Sequence, residues 1–168
     1  MSVLRPATEP LRATRTLLVD DDRSCVVLMM RILEILGQRE IDVASDGQAA
    51  YAMMRTKEYG LVVSDLHMKP WSGLDLLRRV RANELLRKTP FVLTTMDTEI
   101  ANVGDARDCG ADAYILKPYT PAMLREKIEP LLRRQEVQRR LPKTEEVIAP
   151  VKGPPPTPFK RFFKFAVA

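Results

Sequence analysis

In the stretch Leu17-Leu18-Val19-Asp20-Asp21-Asp22, three carboxylates follow directly on a short apolar run. The pattern recurs along the chain: similar runs end at Asp65, at Thr95 and at Lys117. Short runs that are apolar throughout are typical of strands buried on both faces, as in a parallel sheet. The four runs therefore predict a sheet whose strands end in acid, acid, hydroxyl and amine side chains.

Five strand-like runs alternate with helix-like stretches. The runs cover residues 16–19, 41–44, 61–64, 91–95 and 113–116. Such alternation implies right-handed crossovers and an open, doubly wound α/β sheet, in which ligands bind where loops leave the carboxyl ends of the strands. We therefore expect the polar side chains that end the runs to meet at one edge of the sheet.

Helix signals lie between these runs. The apolar residues of the first helix recur at helical spacing, which puts them on one face, and Gly37 provides a stop. That predicted face consists of Cys25, Leu28, Met29, Ile32 and Leu36. The predicted capping pairs of the later helices are Ser45 with Gln48, Ser72 with Asp75 and Thr120 with Pro121. A weaker fourth helix around Asp105 is expected to end at Gly110.

The net charge of +5 is unevenly distributed along the 168 residues. Residues 15–134 hold 18 basic and 18 acidic side chains, whereas residues 135–168 hold 7 and 3. This distribution predicts a neutral domain at 15–134, a flexible N-terminal segment at 1–14, and a Pro-rich basic linker with a Phe-rich C-terminal tail at 135–168. No apolar run approaches the ~20 residues that span a bilayer. With no secretory signal and two free cysteines, we expect a cytoplasmic protein.

The residue types at the strand ends suit a divalent cation and a phosphoryl group. Mg²⁺ prefers oxygen ligands, which Asp20, Asp21 and Asp65 supply. Clustered carboxylates repel one another, so a bound cation offsets their charge. Thr95 can donate a hydrogen bond to a phosphoryl oxygen, and Lys117 can pair with another as a point charge. Phosphoryl transfer depends mainly on such positioning and charge stabilisation.

These residues also carry a family resemblance. The matching stretches are Leu18-Val19-Asp20-Asp21-Asp22, Ser64-Asp65-Leu66-His67-Met68-Lys69-Pro70 with Gly73, Leu93-Thr94-Thr95, and Lys117-Pro118-Tyr119. Over about residues 15–134 the chain resembles the receiver domain of bacterial two-component response regulators, the CheY-like family. The resemblance implies a flavodoxin-like (βα)5 fold with five parallel strands in the order 2-1-3-4-5.

The resemblance also implies a role for each matching residue. Asp65 corresponds to the phosphoacceptor, and Thr95 and Lys117 to the groups that sense the phosphoryl oxygens. Tyr114 corresponds to the aromatic switch residue, which turns inward when the hydroxyl moves. The implied Mg²⁺ ligands are Asp20, Asp21, Asp65 and the backbone carbonyl of His67. Departures from the family pattern are Lys69 in place of a proline and Met96 in place of a small residue, and His67 and Asp97 occupy positions that tune dephosphorylation.

The function implied is that of a stand-alone response regulator rather than an enzyme, catalysing only its own phosphorylation and dephosphorylation. Its partners would be a histidine kinase or histidine phosphotransfer protein and a downstream protein bound at the face of the fourth helix, fifth strand and fifth helix. DNA binding is not expected, because the 34 residues after the receiver are too proline-rich for a helix-turn-helix. A monomer or weak dimer is expected.

Two other functions remain open at this point. One is a phosphorylation-independent adaptor whose basic, Phe-rich tail binds a protein, a membrane surface or a nucleotide; Arg133, Arg134, Arg139 and Arg140 would serve the last. The other is a phosphatase of the haloacid-dehalogenase type, which also uses an aspartate nucleophile with Mg²⁺. The position of Asp65 on the third strand argues against that type, whose nucleophile lies on the first.

Overall fold

The computed structural model describes residues 14–97 and 110–140. Its sheet consists of five parallel strands: β1 (Thr16–Val19), β2 (Ile41–Ala44), β3 (Leu61–Asp65), β4 (Phe91–Thr95) and β5 (Ala113–Leu116). Their order across the sheet is β2-β1-β3-β4-β5, as predicted. All five predicted strands are confirmed, and β3 runs one residue further than expected, so that Asp65 ends the strand.

Four helices flank the sheet: α1 (Arg23–Ile35), α2 (Gly47–Met54), α3 (Gly73–Ala82) and α4 (Pro121–Arg140). The last is the helix predicted as the fifth, because the predicted fourth helix around Asp105 lies outside the described residues. One face of the sheet packs on α1 and α4 through residues such as Met29, Leu33 and Ile128. The other packs on α2 and α3 through residues such as Leu76.

Burial follows the position of each strand in the sheet. Every residue of β1, β3 and β4 is buried, whereas the edge strands β2 and β5 are partly exposed. Helices on both faces explain why the central strands are buried along their whole length and are mostly apolar. Parallel pairing aligns Val19 with Ser64 and Asp65 with Thr94. The polar residues that follow these strands therefore share one edge.

The buried face of α1 is rotated slightly from the prediction. Met29, Ile32 and Leu36 are buried as expected, and Leu33 joins them. Leu28 is 55% exposed, so its assignment to the core face was wrong, and Cys25 is only half-buried. Apolar residues surround this helix, and the packing of Leu33 against the sheet selects which of them face inward.

The end of α1 has the geometry predicted from Gly37. This glycine has φ +96°, a left-handed conformation that glycine adopts without strain. Its amide donates to Glu34 O at 3.0 Å, and the Gln38 amide donates to Leu33 O at 2.9 Å. The two bonds form a Schellman motif, which satisfies the last carbonyls of the helix.

The other helix starts agree with the prediction in two cases out of three. Ser72 and Asp75 form the expected capping box on α3, and Thr120 Oγ1 accepts from the Met123 amide at the start of α4. The capping box of Ser45 with Gln48 was wrong, because Asp46 is the N-cap of α2. Its Oδ1 accepts from the amides of Gln48 and Ala49 at 2.8 and 2.9 Å. An ionised carboxylate accepts such bonds more strongly than a serine hydroxyl.

The last helix extends past residue 134, where the sequence pattern of the domain was expected to decay, and ends at Arg140. Pro130 lies inside α4 on its exposed side, where the loss of one backbone hydrogen bond is solvated. Of the segments predicted at 1–14 and 135–168, residues 1–13 and 141–168 lie outside the described residues. Within residues 14–97 and 110–140, no helix is long and apolar enough to cross a membrane.

Candidate functional site

Two buried carboxylates face each other at the carboxyl edge of the sheet. Asp20 directly follows β1 and Asp65 ends β3, and each is less than a tenth exposed. The parallel register of β1 with β3 brings them side by side. The structure thus places together the two acids that the sequence separates by 45 positions.

Lys117 lies between these carboxylates. Its Nζ is 2.7 Å from Asp65 Oδ1 and 3.0 Å from Asp20 Oδ2, and its side chain is 12% exposed. Burial acts to lower the pKa of Lys117, but the hydrogen bonds to Asp65 and Asp20 and their charges outweigh it, so the pKa is raised. The lysine is therefore a permanent cation at neutral pH, which offsets part of the charge of the acidic pair.

Asp20 is a buried carboxyl whose pKa is raised from its ordinary value. Burial raises its pKa, against the hydrogen bonds from the Asp22 amide and Lys117, which lower it. The amide bond, from Asp22 N to Asp20 Oδ1, measures 2.9 Å. A buried carboxylate whose pKa is raised by desolvation gains from a nearby positive charge. The site is thus electrostatically suited to a further cation.

Asp22 has a structural role that the sequence analysis missed. It is the N-cap of α1, and its Oδ1 accepts from the Ser24 amide at 2.7 Å and the Cys25 amide at 3.4 Å. These bonds lower its pKa, so the group is ionised near neutral pH. Of the three consecutive acids, the third therefore starts the helix. The signal was present, since an aspartate directly before an apolar helical stretch is a common N-cap.

The loop after β3 is held tightly around Asp65. The His67 amide donates to Asp65 Oδ2 at 2.8 Å, while the His67 side chain is exposed. Ser64 Oγ donates to Asp65 O at 2.9 Å, and the Gly73 amide donates to Leu66 O at 2.9 Å. Both Asp65 side-chain oxygens thus have partners, which fixes the orientation of the carboxylate.

Gly73 allows this loop to pack on the start of α3. A Cβ atom at position 73 would lie 2.2 Å from Asp65 O and 2.8 Å from Leu93 Cδ2. Since the first of these is a backbone atom, no rotamer change relieves the clash. Gly73 matches the family pattern in the sequence, and this close approach supplies its physical role.

Thr95 is fully buried at the end of β4, beside Lys117, which directly follows β5. The Lys117 amide donates to Thr95 O at 2.7 Å, and Thr95 Oγ1 accepts from the Asp97 amide at 3.0 Å. A hydroxyl that accepts one hydrogen bond can still donate its own proton. The neighbouring Met96 is 76% exposed, so its side chain points into solvent.

Tyr114 lies opposite Leu93 in the register of β4 with β5. Its ring packs against the core cluster that contains Leu93, and its hydroxyl oxygen is buried. The side chain is therefore turned inward, toward the core. This is the residue that the resemblance assigned as the switch.

The donor set for a hard divalent cation consists of oxygen atoms, of which only some are buried. Asp20 and Asp65 supply buried oxygens, whereas Asp21 is exposed. In the described part of the chain, no three His, Cys, Asp or Glu side chains come together as a metal-binding group. Carboxylate and carbonyl oxygens are nevertheless the ligands that Mg²⁺ prefers, and this ion usually keeps several waters. The chemistry of the donors therefore fits Mg²⁺.

A doubly wound sheet with an acidic pair, a threonine and a lysine at its carboxyl edge defines a receiver domain. The family model of the response regulator receiver domain matches residues 16–129. The chain belongs to the response regulator receiver family, and its likeness is to CheY proteins.

Similar proteins agree with this assignment. The chemotaxis protein CheY-3 of Vibrio cholerae is 32% identical over 120 residues, which are 71% of this chain and 92% of CheY-3. A CheY-like receiver domain protein from Methanospirillum hungatei is 29% identical with a TM-score of 0.67, over 76% of this chain and 99% of that one. The receiver domain of a sensor histidine kinase from Pseudomonas aeruginosa, solved with a magnesium ion in its active-site cleft, has a TM-score of 0.64 at 24% identity, over 72% and 98%.

Proposed function

We propose that this chain is a stand-alone response regulator that accepts a phosphoryl group on Asp65 from a histidine kinase or a histidine phosphotransfer protein. The observation that supports this most directly is the contact of Asp65 Oδ1 with Lys117 Nζ at 2.7 Å, with Asp20 on the same ammonium. It puts a fixed carboxylate and a permanent cation at the edge where ligands of such sheets bind.

In the proposed reaction, a carboxylate oxygen of Asp65 attacks the phosphorus atom of a phosphohistidine. The new O–P bond forms as the N–P bond breaks, and the imidazole nitrogen leaves with the electron pair and takes up a proton. The ammonium of Lys117 pairs with one phosphoryl oxygen, and the hydroxyl of Thr95 donates to another. Both groups act by charge and position, which is what phosphoryl transfer requires.

Mg²⁺ is the proposed cofactor, held by Asp20, Asp21, Asp65 and the His67 carbonyl. When bound, the ion supplies charge stabilisation to the phosphoryl oxygens. The magnesium in the related kinase receiver supports this choice. So does the raised pKa of Asp20, which burial causes and a nearby cation would oppose.

The proposed output is a change in protein binding. A phosphoryl group on Asp65 would accept hydrogen bonds from the Thr95 hydroxyl and the Lys117 ammonium. The two residues are already linked, because the Lys117 amide donates to Thr95 O. Tyr114 on the neighbouring strand would respond by a change in its orientation, which shifts a two-state equilibrium. We expect the downstream partner to bind the face that includes β5 and α4. The helix predicted before β5 belongs to that face but lies outside the described residues.

Phosphorylation is tested with the full chain, Mg²⁺ and acetyl phosphate as the donor. Intact mass should increase by one phosphoryl group, and the adduct should be stable in acid and labile in base. Asp65→Asn should gain nothing, because its amide is a poor nucleophile. Glu58→Gln is the matched control, since Glu58 is exposed at the opposite edge of the sheet, and it should gain the group as wild type does.

Two results would contradict the proposal: no adduct on the wild-type chain, or an unchanged adduct on Asp65→Asn. Omission of Mg²⁺ with excess chelator should slow the reaction strongly. We expect no catalytic activity beyond the chain's own phosphorylation and dephosphorylation, and a cytoplasmic location.

A further inference from the structure

A groove lies at the edge of the sheet opposite the acidic pair, where the strands begin. It has a volume of about 720 Å³ and lies between the end of α2, the turns before β3 and β4, and one side of α4. Gln135 of α4 forms part of its wall. None of the residues that carry the proposed phosphorylation chemistry lines it, so this groove is separate from that site.

The lining of the groove combines basic and apolar groups. Arg55, Lys57 and Lys88 line it, with Glu58 as the one acidic side chain. Lys57 is held by Asp42 at 3.1 Å. Leu85 is 92% exposed, and Tyr59, which is buried, also lines the groove. A ligand that fits would carry negative charge beside apolar groups, because buried like charges are costly and exposed apolar surface is covered favourably.

We propose that the groove binds residues 144–148 of the same chain, Thr144-Glu145-Glu146-Val147-Ile148. This segment has two adjacent carboxylates followed by two branched apolar residues. Its charge is opposite to that of Arg55 and Lys88, and Val147 and Ile148 match the exposed Leu85. It holds two of the three acidic residues after position 134, where the chain is otherwise basic.

Chain length makes this contact feasible. From Gln135 in the groove wall, helix α4 continues to Arg140, a rise of about 7.5 Å at 1.5 Å per residue. Pro142 follows closely, and proline has no amide proton for a helical hydrogen bond, which disfavours further helix. The five residues from 141 to 145 span up to about 17 Å when extended. Glu145 can therefore return to the groove from which α4 departs.

The test uses the full chain and its backbone amide NMR spectrum. In Glu145→Lys/Glu146→Lys, the amide resonances of Leu85, Leu86 and Thr89 should shift, while those of α1 should stay in place. Lys160→Glu/Arg161→Glu is the matched control, because it reverses two charges elsewhere in the same C-terminal region, and it should leave the groove resonances unchanged. Raising the salt concentration should move the wild-type groove resonances toward those of the first variant.

Charge exchange provides the second arm. Arg55→Glu/Lys88→Glu should also displace the segment, and combining both pairs of reversals should restore the wild-type shifts of Val147 and Ile148. The proposal would be overturned if the groove resonances do not shift in Glu145→Lys/Glu146→Lys. It would also be overturned if they shift equally in the control variant Lys160→Glu/Arg161→Glu. Shifts that depend on protein concentration over a tenfold range would assign the contact to a second copy and overturn it too. Phosphorylation of Asp65 should be unaffected by these variants, so this outcome is independent of the proposed function.

Discussion

Lys117 offsets the charge of two buried carboxylates, and this makes its removal costly in a pH-dependent way. In Lys117→Ala, Asp20 and Asp65 would remain buried without their common cation. Breaking a buried pair in this manner costs about 3 kcal/mol. We expect that loss in the free energy of unfolding at pH 7, measured by urea denaturation without Mg²⁺.

The pH dependence of this loss follows from Asp20. Burial raises the pKa of this carboxyl, so the folded state binds its proton more tightly than the unfolded state does. The resulting stability is fully present below the unfolded pKa of 3.8 and is lost as pH rises through the folded pKa. Lys117→Ala removes a group that lowers the pKa of Asp20, so this pKa rises further in the variant. The deficit of Lys117→Ala should therefore shrink as pH is lowered from 7 toward 4. A deficit that stays constant over this range would contradict the electrostatic explanation, and Lys127→Ala, exposed on α4, should show no deficit.

Gly73 is required by contact rather than by backbone conformation. In Gly73→Ala the new methyl group would lie 2.2 Å from Asp65 O, so the loop that carries Asp65, the proposed phosphoacceptor, must move. Overpacking of this kind costs about 1–3 kcal/mol. We expect this loss in urea denaturation together with slower phosphorylation from acetyl phosphate.

Gly47 is the matched control, because it is the first residue of α2 as Gly73 is of α3. A Cβ there would meet its nearest atoms, Trp71 Cβ and Trp71 O, at 3.0 Å. Gly47→Ala should therefore destabilise less and leave the phosphorylation rate nearly unchanged. If both variants lose the same stability and the same rate, the special position of Gly73 next to Asp65 is refuted.

Helix caps decide where the helices begin, and α2 tests the correction made by the structure. Asp46 accepts two amide hydrogen bonds, whereas Ser45 Oγ donates to Asp46 Oδ2 at a long 3.4 Å. Asp46→Ala should cost about 1 kcal/mol, the usual loss for an N-cap. Ser45→Ala should change the free energy of unfolding by much less. A larger loss of stability in Ser45→Ala than in Asp46→Ala would instead support the capping box predicted from the sequence.

The strands were predictable and the faces of α1 were not, for a physical reason. A central strand is covered on both sides, so most of its residues are apolar and the apolar run itself marks the strand. On α1 the apolar residues exceed those that the core needs: Val27, Leu28 and Ile35 are all more than half exposed. Periodicity therefore could not distinguish the buried stripe from the exposed one. The same limit applies to Ser45 and Asp46, which are neighbours of similar capping ability.

The acidic pair and its lysine could be proposed from the sequence because the fold brings all parallel strand ends to one edge. The hydrogen bond from Lys117 to Asp20 joins residues 97 positions apart, yet it follows from the strand order alone. Contacts at the other edge carry no comparable sequence signal. The bonds of Arg81 depend on where irregular turns place their carbonyls, which no motif predicts.

Arg81 joins separate parts of the molecule at this opposite edge. From the end of α3 its guanidinium donates to the carbonyl oxygens of Arg87, Thr89 and Gly110, at 2.7 to 2.9 Å. It also pairs with Asp112 at 2.8 Å, and the same Asp112 oxygen accepts from the Phe91 amide. One side chain thus links the end of α3 to the chain segments that enter β4 and β5.

Loss of this side chain should destabilise the whole domain rather than one helix. The guanidinium is 22% exposed, and hydrogen bonds to a charged group contribute about 1.5–3 kcal/mol. We expect Arg81→Ala to lower the free energy of unfolding by about 2 kcal/mol in urea denaturation. Arg81→Lys should recover little of this stability, because an ammonium cannot reach several carbonyls in the fixed geometry of the guanidinium fork.

Arg78→Ala is the matched control on the same helix. The Arg78 side chain is 65% exposed and its Nη1 lies 3.9 Å from Asp75 Oδ1. The loss of stability in Arg78→Ala should therefore stay within about 0.5 kcal/mol. Equal losses for Arg81→Ala and Arg78→Ala would mean that the linkage seen here adds nothing to stability. Because the segment entering β5 leads to Tyr114 and Lys117, amide hydrogen exchange in β5 should also accelerate in Arg81→Ala and not in Arg78→Ala.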